Sequence, residues 1–306
     1  MIKIIEPYGF CFGVKNSISL VLQAKKKHPR SKVFFLKPLV HNASTNRQVL
    51  KKLHSEVYDP SRPVSFYQDS YFALPAHGYT IQDLRLVKSL RSDYINCTCP
   101  ILIVNKNTIK GNVRSGFTVF LLGKTDHPEI LSILDEIEGV RFIPIEKIET
   151  LDYSTFANFP KLAIYPQSTL GESDWNAFLE KVQPYIKGKF IKGSICRECL
   201  KRWDKVKKVN PLVKATFIVV GDKDSSNANE FKRICQETHA NSTCILIENK
   251  DELKKQMPDI DFARDIYLSS STSASKKSFE QIYKKLKWSY RLFRLTHPSF
   301  WFKKKI

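Results

Sequence analysis

The sequence contains no apolar run near the roughly 20 residues that a membrane-spanning helix needs. Its N-terminus lacks the basic start and long apolar segment of a signal peptide. It has no low-complexity segment and no exact short repeat. We therefore expect a folded cytoplasmic protein, and 306 residues with 42% hydrophobic content can bury a large core.

Cysteines are few, and their number, seven, is odd. This disfavours a disulfide framework and favours thiols or metal ligands. The paired C-x-x-C motifs of structural zinc sites are missing, because Cys196-Arg197-Glu198-Cys199 has no second pair. Cys11, Cys99 and Cys196 are separated by 88 and 97 residues. Three α/β units of that size could each deliver one thiolate to zinc or to an iron–sulfur cluster.

Acidic residues are scarce, since 50 Lys and Arg face 30 Asp and Glu for a net charge of +20. From Lys276 to Ile306, ten basic residues accompany Glu280 alone. This excess favours polyanionic partners or an anionic membrane surface. The predicted helix over Lys277–Leu295 is interpreted as a packing helix with a solvated basic face, and Phe300–Lys305 is typical of an interfacial anchor. Nucleic-acid binding is the least favoured alternative.

Short apolar runs alternate with amphipathic segments along the chain, a pattern that predicts an α/β fold with mainly parallel sheets. Strands are predicted over Lys3–Ile5, Val33–Leu36, Tyr71–Leu74, Phe117–Leu122, Lys161–Tyr165, Thr216–Val220, Thr243–Ile247 and Ile266–Leu268. Helices are predicted over Asn16–Lys27, Asp174–Val182, Asn229–Thr238 and Lys277–Leu295.

Polar or thiol-bearing loops follow these strands, where open α/β sheets bind their ligands. Cys11, between Gly9 and Gly13, precedes a helix whose N-terminus favours an anion. The alternative for Cys11 is a buried cysteine in a glycine turn. The loop histidines His41, His77 and His127 suit anion binding and proton supply.

Two further loop motifs have a functional and a structural interpretation. Glu129 is placed for proton delivery if it is buried, or it is a first-turn carboxylate that complements the helix dipole. Ser225-Ser226-Asn227 could hold a diphosphate, or could simply cap the helix that follows.

These motifs, taken together and in order, resemble the 4-hydroxy-3-methylbut-2-enyl diphosphate reductase family over roughly residues 1–285. The motifs that carry the resemblance are Gly9-Phe10-Cys11-Phe12-Gly13-Val14, Val40-His41-Asn42, Ala76-His77-Gly78, Thr98-Cys99-Pro100, His127-Pro128-Glu129, Gln167-Ser168-Thr169-Leu170, Ile195-Cys196 and Ser225-Ser226-Asn227-Ala228-Asn229. The resemblance implies three similar α/β domains around a central iron–sulfur cluster. We expect an N-terminal strand and cluster loop over 1–13, domains over 14–98, 99–193 and 194–285, and a basic aromatic extension over 286–306.

The resemblance also implies the site and its chemistry. Three cysteines would ligate a 4Fe–4S cluster with one iron not bound by cysteine: Cys11, Cys99 and Cys196. The substrate would be held by His41, His77, His127, Ser225, Ser226, Asn227 and Ser273. Glu129, Ser168 and His127 would be catalytic, with Glu129 and Ser168 relaying protons. Two electrons would remove the substrate hydroxyl as water and give isopentenyl or dimethylallyl diphosphate. Reduced ferredoxin or flavodoxin, which are acidic, would suit the basic surface of this chain as the electron donor.

Departures from the family pattern cluster around two cysteines. Asn96-Cys97 replaces the usual Asp-Ala, and only Arg202 survives of the residues expected after Cys196. Ser168 stands where threonine is usual and keeps the hydroxyl. An alternative function is therefore a diverged paralogue whose cluster serves electron transfer or sensing. In that hypothesis Cys199 caps the open iron.

Overall fold

The computed structural model describes residues 1–297, and within them it contains three four-stranded sheets with parallel pairing throughout. The strands are β1 (Ile2–Ile4), β2 (Val33–Phe35), β3 (Glu56–Val57), β4 (Tyr71–Leu74), β5 (Asp93–Asn96), β6 (Thr118–Gly123), β7 (Val140–Pro144), β8 (Lys161–Pro166), β9 (Lys189–Lys192), β10 (Ala215–Val220), β11 (Thr243–Ile247) and β12 (Asp265–Ser270). The helices are α1 (Phe12–Lys27), α2 (Ala43–Leu53), α3 (Ile81–Ser89), α4 (Pro100–Arg114), α5 (Pro128–Glu136), α6 (Glu172–Val182), α7 (Arg197–Lys207), α8 (Ser226–Thr238), α9 (Lys250–Lys255) and α10 (Lys276–Thr296). The predicted α/β class is confirmed.

The chain divides into two compact units. The terminal unit comprises Met1–Cys11, His41–Thr45 and the chain from Glu198 onward. The central unit comprises Phe12–Val40 and Asn46–Arg197. No helix described within residues 1–297 has the length and apolar character that a membrane span requires.

The sheet of the terminal unit has the order β1-β12-β10-β11. All six residues of β10 are buried, as expected for an inner strand of a parallel sheet. Phe279, Ile282 and Leu286 recur along one face of α10 and pack into the core that Ile218 and Leu268 share. Burial of each such side chain is worth roughly 1.5–3 kcal/mol, so this face fixes α10 against the sheet.

The central unit holds two sheets, ordered β3-β2-β4-β5 and β7-β6-β8-β9. Proline occupies the first position of α4 and of α5, at Pro100 and Pro128, where a missing N–H costs no hydrogen bond. Both helices therefore begin directly after a predicted site residue, Cys99 and His127 respectively.

All eight predicted strands and all four predicted helices are present, with ends that differ by a few residues. Four strands are missing from the predicted set, and all of them lie at sheet edges: β3, β5, β7 and β9. Edge strands keep one flank in solvent, so their sequences are short or mixed in polarity. The boundaries proposed at residues 13, 98, 193 and 285 stay predictions; β1 pairs with β12, and α10 continues through residue 285.

Candidate active site

Three of the predicted loops in the central unit are hydrogen-bonded side by side. The backbone N–H of Ala76 donates to the carbonyl of Leu39 at 2.9 Å, and that of Cys99 donates to the carbonyl of Ala76 at 2.8 Å. These bonds join the segments that follow β2, β4 and β5. His77, the next residue after Ala76, therefore lies beside the segment that carries Cys99.

The turn that carries His77 requires glycine at the following position. Gly78 has φ +95°, a left-handed conformation that favours glycine, and a Cβ there would overlap the side chain of Ser132. The His77 side chain is half-buried, with its Nδ1 atom inside the protein. Local backbone geometry thus holds this imidazole in a defined place.

Glu129 and Ser168, predicted as proton-transfer residues, are directly bonded in the central unit. The Ser168 hydroxyl donates to Glu129 Oε2 at 2.5 Å, and the Ser168 N–H donates to Oε1 at 2.9 Å. Glu129 is only 3% exposed, in the first turn of α5. Both carboxylate oxygens are therefore bound by one neighbouring residue in the loop after β8.

The same network extends to His127 and Cys196. The N–H of Glu129 donates to His127 Nδ1 at 3.3 Å, so the neutral imidazole is assigned its proton on Nε2. The N–H of Cys196 donates to the carbonyl of Ser168 at 3.0 Å. Three segments distant in sequence thus form one chain of hydrogen bonds, which we call the carboxylate network: His127, Glu129, Ser168 and Cys196.

Burial controls the ionisation of Glu129. Removal from water raises the pKa of this carboxyl, and the two hydrogen bonds from Ser168 and the positive charge of Lys106 offset only part of that rise. When the carboxyl is protonated, Oε2 can donate back to the Ser168 hydroxyl, which both accepts and donates. The pair can therefore store a proton and pass it through the serine.

In the terminal unit, backbone contacts hold the segment around Cys11. The N–H of Cys11 donates to the carbonyl of Thr272 at 3.0 Å, and the N–H of Gly9 donates to Ser270 Oγ at 2.8 Å. Gly9 has φ +80°, so the turn before the cysteine also favours glycine. The loop after β12 thereby positions Cys11.

Arg202 reinforces this loop from helix α7. Its guanidinium donates to the carbonyls of Pro7 at 3.0 Å, Gly9 at 2.8 Å and Ser270 at 3.1 Å. The side chain is 2% exposed, and burial lowers its pKa while Cys11 and the other thiol and carboxyl groups nearby oppose that shift. A buried cation fixed by three carbonyls therefore supports the Cys11 turn.

The segment that begins at His41 is tied to two loops of the terminal unit. The N–H of Ala43 donates to Asp222 Oδ2 at 2.7 Å, after β10. The Ser273 hydroxyl donates to the carbonyl of His41 at 3.0 Å, and the Thr45 hydroxyl donates to the carbonyl of Ser273 at 2.9 Å. His41 and Ser273 are thus neighbours, as their predicted common role requires.

Burial also lowers the pKa of His41, against the opposing charges of Asp222 and Asp224. At neutral pH the imidazole is therefore neutral, and it can offer one N–H donor without adding a charge.

Asn227 lies at the N-terminus of α8 with its carboxamide fixed at both ends. Its Oδ1 accepts from the N–H of Thr272 at 3.0 Å and from the Thr272 hydroxyl at 3.2 Å. Its Nδ2 donates to Cys199 Sγ at 2.9 Å. Ser225 caps the helix by accepting from Ala228 N–H at 3.4 Å. We call this second arrangement, Cys199, Asn227 and Thr272, the amide network.

The predicted residues fall into two sets. The terminal unit contains Cys11, His41, Ser225, Ser226, Asn227 and Ser273. The central unit contains His77, Cys99, His127, Glu129, Ser168 and Cys196. Among residues 1–297, no group of three or more His, Cys, Asp or Glu side chains gathers so as to hold a metal ion. The assignment of the three cysteines as ligands therefore stays a prediction.

Comparison with models of protein families assigns this chain to a family. The family model described as LytB protein matches residues 2–287. The chain belongs to the LytB family.

Two curated relatives of the chain carry the same enzyme name. The chain is 29% identical over 297 residues to a 4-hydroxy-3-methylbut-2-enyl diphosphate reductase of Dictyoglomus thermophilum, covering 95% of this chain and 98% of the relative. It is 26% identical over 261 residues to the enzyme of that name from Caldanaerobacter subterraneus, covering 84% and 86%. Several hundred curated proteins match with strong significance.

Solved structures agree on the fold. The E-1-hydroxy-2-methyl-but-2-enyl-4-diphosphate reductase from Plasmodium falciparum superposes with a TM-score of 0.77 at 22% identity, covering 94% of this chain and 87% of that one. A second structure is titled (E)-4-hydroxy-3-methyl-but-2-enyl diphosphate reductase, the terminal enzyme of the non-mevalonate pathway. It gives a TM-score of 0.63 at 23% identity and covers 94% and 98%. At these identities the likeness establishes the LytB fold alone.

Membership in the LytB family implies an iron–sulfur cofactor, and the thiols of this chain suit one. All seven cysteines are thiols rather than disulfides. Cys11, Cys99 and Cys196 are half-buried, and each comes immediately before a helix. Helix N-termini stabilise negative charge, and thiolates are the ligands that iron–sulfur clusters take. This donor set fits the group.

Sequence reasoning missed three supporting residues of this LytB protein. It noted Arg202 as the survivor of a family motif without predicting that it binds the Cys11 loop. It did not single out Asp222 or Thr272 as partners of the predicted site. Both positions can be recognised in the sequence, because Asp222 follows a buried strand and Thr272 adjoins Ser273. Neither motif, however, indicates which residue the side chain contacts.

Proposed function

We propose that this protein is a 4-hydroxy-3-methylbut-2-enyl diphosphate reductase of the non-mevalonate isoprenoid pathway. Its reaction removes the substrate hydroxyl as water and yields isopentenyl and dimethylallyl diphosphate. Family membership supports the proposal, as do relatives that bear this name over most of the chain. These relatives also favour a reductase over a paralogue that serves electron transfer or sensing.

The observation in the structure that carries the proposal is the carboxylate network. Removing a hydroxyl as water needs a proton at the leaving oxygen, and Glu129 is a buried acid bonded to a serine hydroxyl. The network ends at Cys196, a predicted cofactor ligand. Proton storage is thus coupled through one serine to the segment that would hold the cofactor.

Cys11, Cys99 and Cys196 would hold a 4Fe–4S cluster with one iron not bound by cysteine, and the bound cluster would pass on two electrons, one at a time, from the electron donor. The overall balance is one hydroxyl compound, two electrons and two protons giving one alkene product and one water. Glu129 delivers the proton that leaves in the water, through the Ser168 hydroxyl. The second proton ends on an allylic carbon, which determines which of the two products forms.

The substrate diphosphate would be held by the imidazole, hydroxyl and amide groups of the predicted binding residues. His41, Ser225, Ser226, Asn227 and Ser273 supply imidazole, hydroxyl and amide donors from the terminal unit. The N-terminus of α8 adds backbone N–H groups and a partial positive charge. His77 would contribute a further imidazole, and His127 would lie near the reacting part of the substrate.

The test is substrate-dependent oxidation of a reduced viologen dye by anaerobically reconstituted protein, with the products identified by mass spectrometry. Cys99→Ser is the matched variant, and its iron and sulfide content is measured beside its rate. We expect turnover to both products in the wild type, and loss of turnover with reduced iron content in the variant. A wild-type protein with its cluster intact and no turnover would overturn the proposal.

Further proposals concern the partners and the location. Reduced ferredoxin or flavodoxin is the proposed electron donor, because acidic carriers complement a chain of net charge +20. We place the enzyme in the cytoplasm. Nucleic acid remains the least favoured partner; its binding would fall steeply with salt.

An anionic membrane surface remains a proposed contact for the aromatic and basic residues 300–305, which lie outside the described residues. Co-sedimentation with anionic vesicles tests this, comparing the full chain with one lacking 296–306. We expect weaker binding in the shortened chain, and equal binding would refute the anchor.

A further inference from the structure

Two cysteines with no role in the proposed reaction face each other in the terminal unit. Cys235 is located near the C-terminal end of α8, and Cys244 is the second residue of the edge strand β11. Helix α8 packs against β11. Cys244 and Leu246 lie on one face of that strand because side chains alternate, whereas Ile245 and Ile247 lie in the core on the opposite face, with α10.

The two side chains interact across the contact between α8 and β11. The Cys235 thiol donates a hydrogen bond to the sulfur of Cys244. Cys235 is 1% exposed, while Cys244 is half-buried and so accessible from solvent. A disulfide needs two sulfurs that can close to about 2 Å on neighbouring backbones, and the packed helix and strand each present one of two interacting thiols.

The pair is chemically asymmetric. The hydrogen bond from Cys235 lowers the pKa of Cys244, burial opposes this, and the charge of Lys232 assists it. The same contact and burial raise the pKa of Cys235. Cys97 gives a contrast within the chain, because burial without a thiol partner raises its pKa to about 12. Only thiolates attack disulfides, and Cys244 is the thiol that a reagent in solution can reach, so Cys244 is the attacking group and the buried Cys235 resolves the product.

We propose that Cys235 and Cys244 form a redox-active dithiol that closes to a reversible disulfide by exchange with a small disulfide such as oxidised glutathione. The Cys244 thiolate attacks one sulfur of the reagent and releases one glutathione thiol. Cys235 then loses its proton, attacks the Cys244 sulfur and releases the second. The two protein thiols are oxidised by two electrons, the reagent is reduced to two thiols, and the protons end on those thiols.

The location separates this pair from the proposed substrate-binding residues at the start of α8. Cys235 lies nine residues after Ser226, or about 13 Å along α8 at 1.5 Å per residue. Oxidation of Cys235 and Cys244 therefore requires no bound substrate. It also leaves every proposed cluster ligand and substrate-binding residue unmodified. Disulfides in reducing compartments are uncommon and are mostly transient or redox-sensing, so a reversible bond is the expected form.

The experiment exposes the anaerobic holoprotein to glutathione buffers with increasing oxidised fraction, followed by acid quenching, alkylation and peptide mapping. Trypsin cuts after Arg233 and Lys250, so both cysteines fall in one peptide. The disulfide appears as that peptide lacking two hydrogens and both alkyl groups. Further cleavage after Glu237 leaves two chains joined until dithiothreitol is added.

Two variants make the test specific. Cys235→Ser should trap glutathione on Cys244, and Cys244→Ser should leave the buried Cys235 unmodified. Cys97→Ser should form the disulfide like the wild type. A wild type that accumulates glutathione on Cys244 without closing the bond would overturn the proposal, as would a peptide that stays fully alkylatable at every ratio. Neither readout depends on turnover, so failure here is distinguishable from failure of the proposed function.

Discussion

The carboxylate network and the amide network are built alike but hold different chemistry. Each joins a loop that follows an inner strand to the start of a helix. In the first, a buried carboxyl with a raised pKa meets a serine hydroxyl. In the second, a neutral carboxamide is held by Cys199 and Thr272. One arrangement stores a proton, and the other presents fixed neutral donors at a helix N-terminus.

The buried cations near the two networks, Lys106 and Arg202, also differ in what they bind. Lys106, close enough to influence Glu129, is paired with Glu136 at 2.7 Å, which leaves the Glu129 carboxyl without a salt-bridge partner of its own in the described contacts. Arg202 instead donates to backbone carbonyls around Cys11. We therefore expect changes in the central unit to alter proton transfer, and changes in the terminal unit to alter stability or substrate binding.

Glu129→Gln is expected to have the largest effect. Glutamine keeps the size and can still accept from the Ser168 N–H, but it cannot supply a proton. We expect turnover to fall by roughly 10²- to 10⁴-fold with little change in KM. The viologen assay measures this, and Glu138→Gln, an exposed carboxylate just after the same helix, is the control. A variant that keeps half the wild-type rate would remove Glu129 from the mechanism.

Arg202→Met tests whether the buried guanidinium of the terminal unit stabilises the fold. The substitution leaves the carbonyls of Pro7, Gly9 and Ser270 without this donor inside the protein. We expect a loss of about 2–5 kcal/mol in the free energy of unfolding, since each buried unsatisfied group costs about 1–3 kcal/mol. Urea unfolding under anaerobic conditions measures it. Lys201→Met, on the exposed side of the same helix, should change little. Equal stability of the two variants would contradict the assigned role.

Ser168→Ala separates the hydroxyl from the carboxyl it serves. With Glu129 as the proposed proton donor, turnover would need its protonated form, so the rate should fall as pH rises through the raised pKa of that carboxyl. The serine hydrogen bond lowers this pKa, and its removal should move the alkaline limb to higher pH while reducing the rate roughly tenfold. A pH–rate profile measures both effects. Ser168→Thr should restore the wild-type rate and pH profile. An alkaline limb that lies at the same pH in Ser168→Ala as in the wild type would mean that a group other than Glu129 titrates.

The contrast also shows what could be predicted from sequence. Buried inner strands such as β10 are continuous apolar runs, and motif residues such as Glu129 and Ser168 are adjacent to them, so both were identified. The edge strands β3, β5, β7 and β9 and the contacts of Arg202 were not predicted. These four strands lack a continuous apolar run, and Arg202 reaches residues nearly two hundred positions away. Its partners are backbone carbonyls, which have no sequence signature.

Cys199→Ala is expected to have the smallest effect and to be confined to substrate binding. The variant removes the acceptor for Asn227 Nδ2 while leaving Thr272 on Oδ1, so the carboxamide loses one of its two anchors. We expect KM to rise roughly 3- to 10-fold, equivalent to about 1 kcal/mol for one lost hydrogen bond, with kcat within twofold. Cys235→Ser, another buried thiol of the terminal unit, is the matched control under reducing conditions. If kcat falls while KM holds, Cys199 acts at the reacting centre and the separation of the two networks fails.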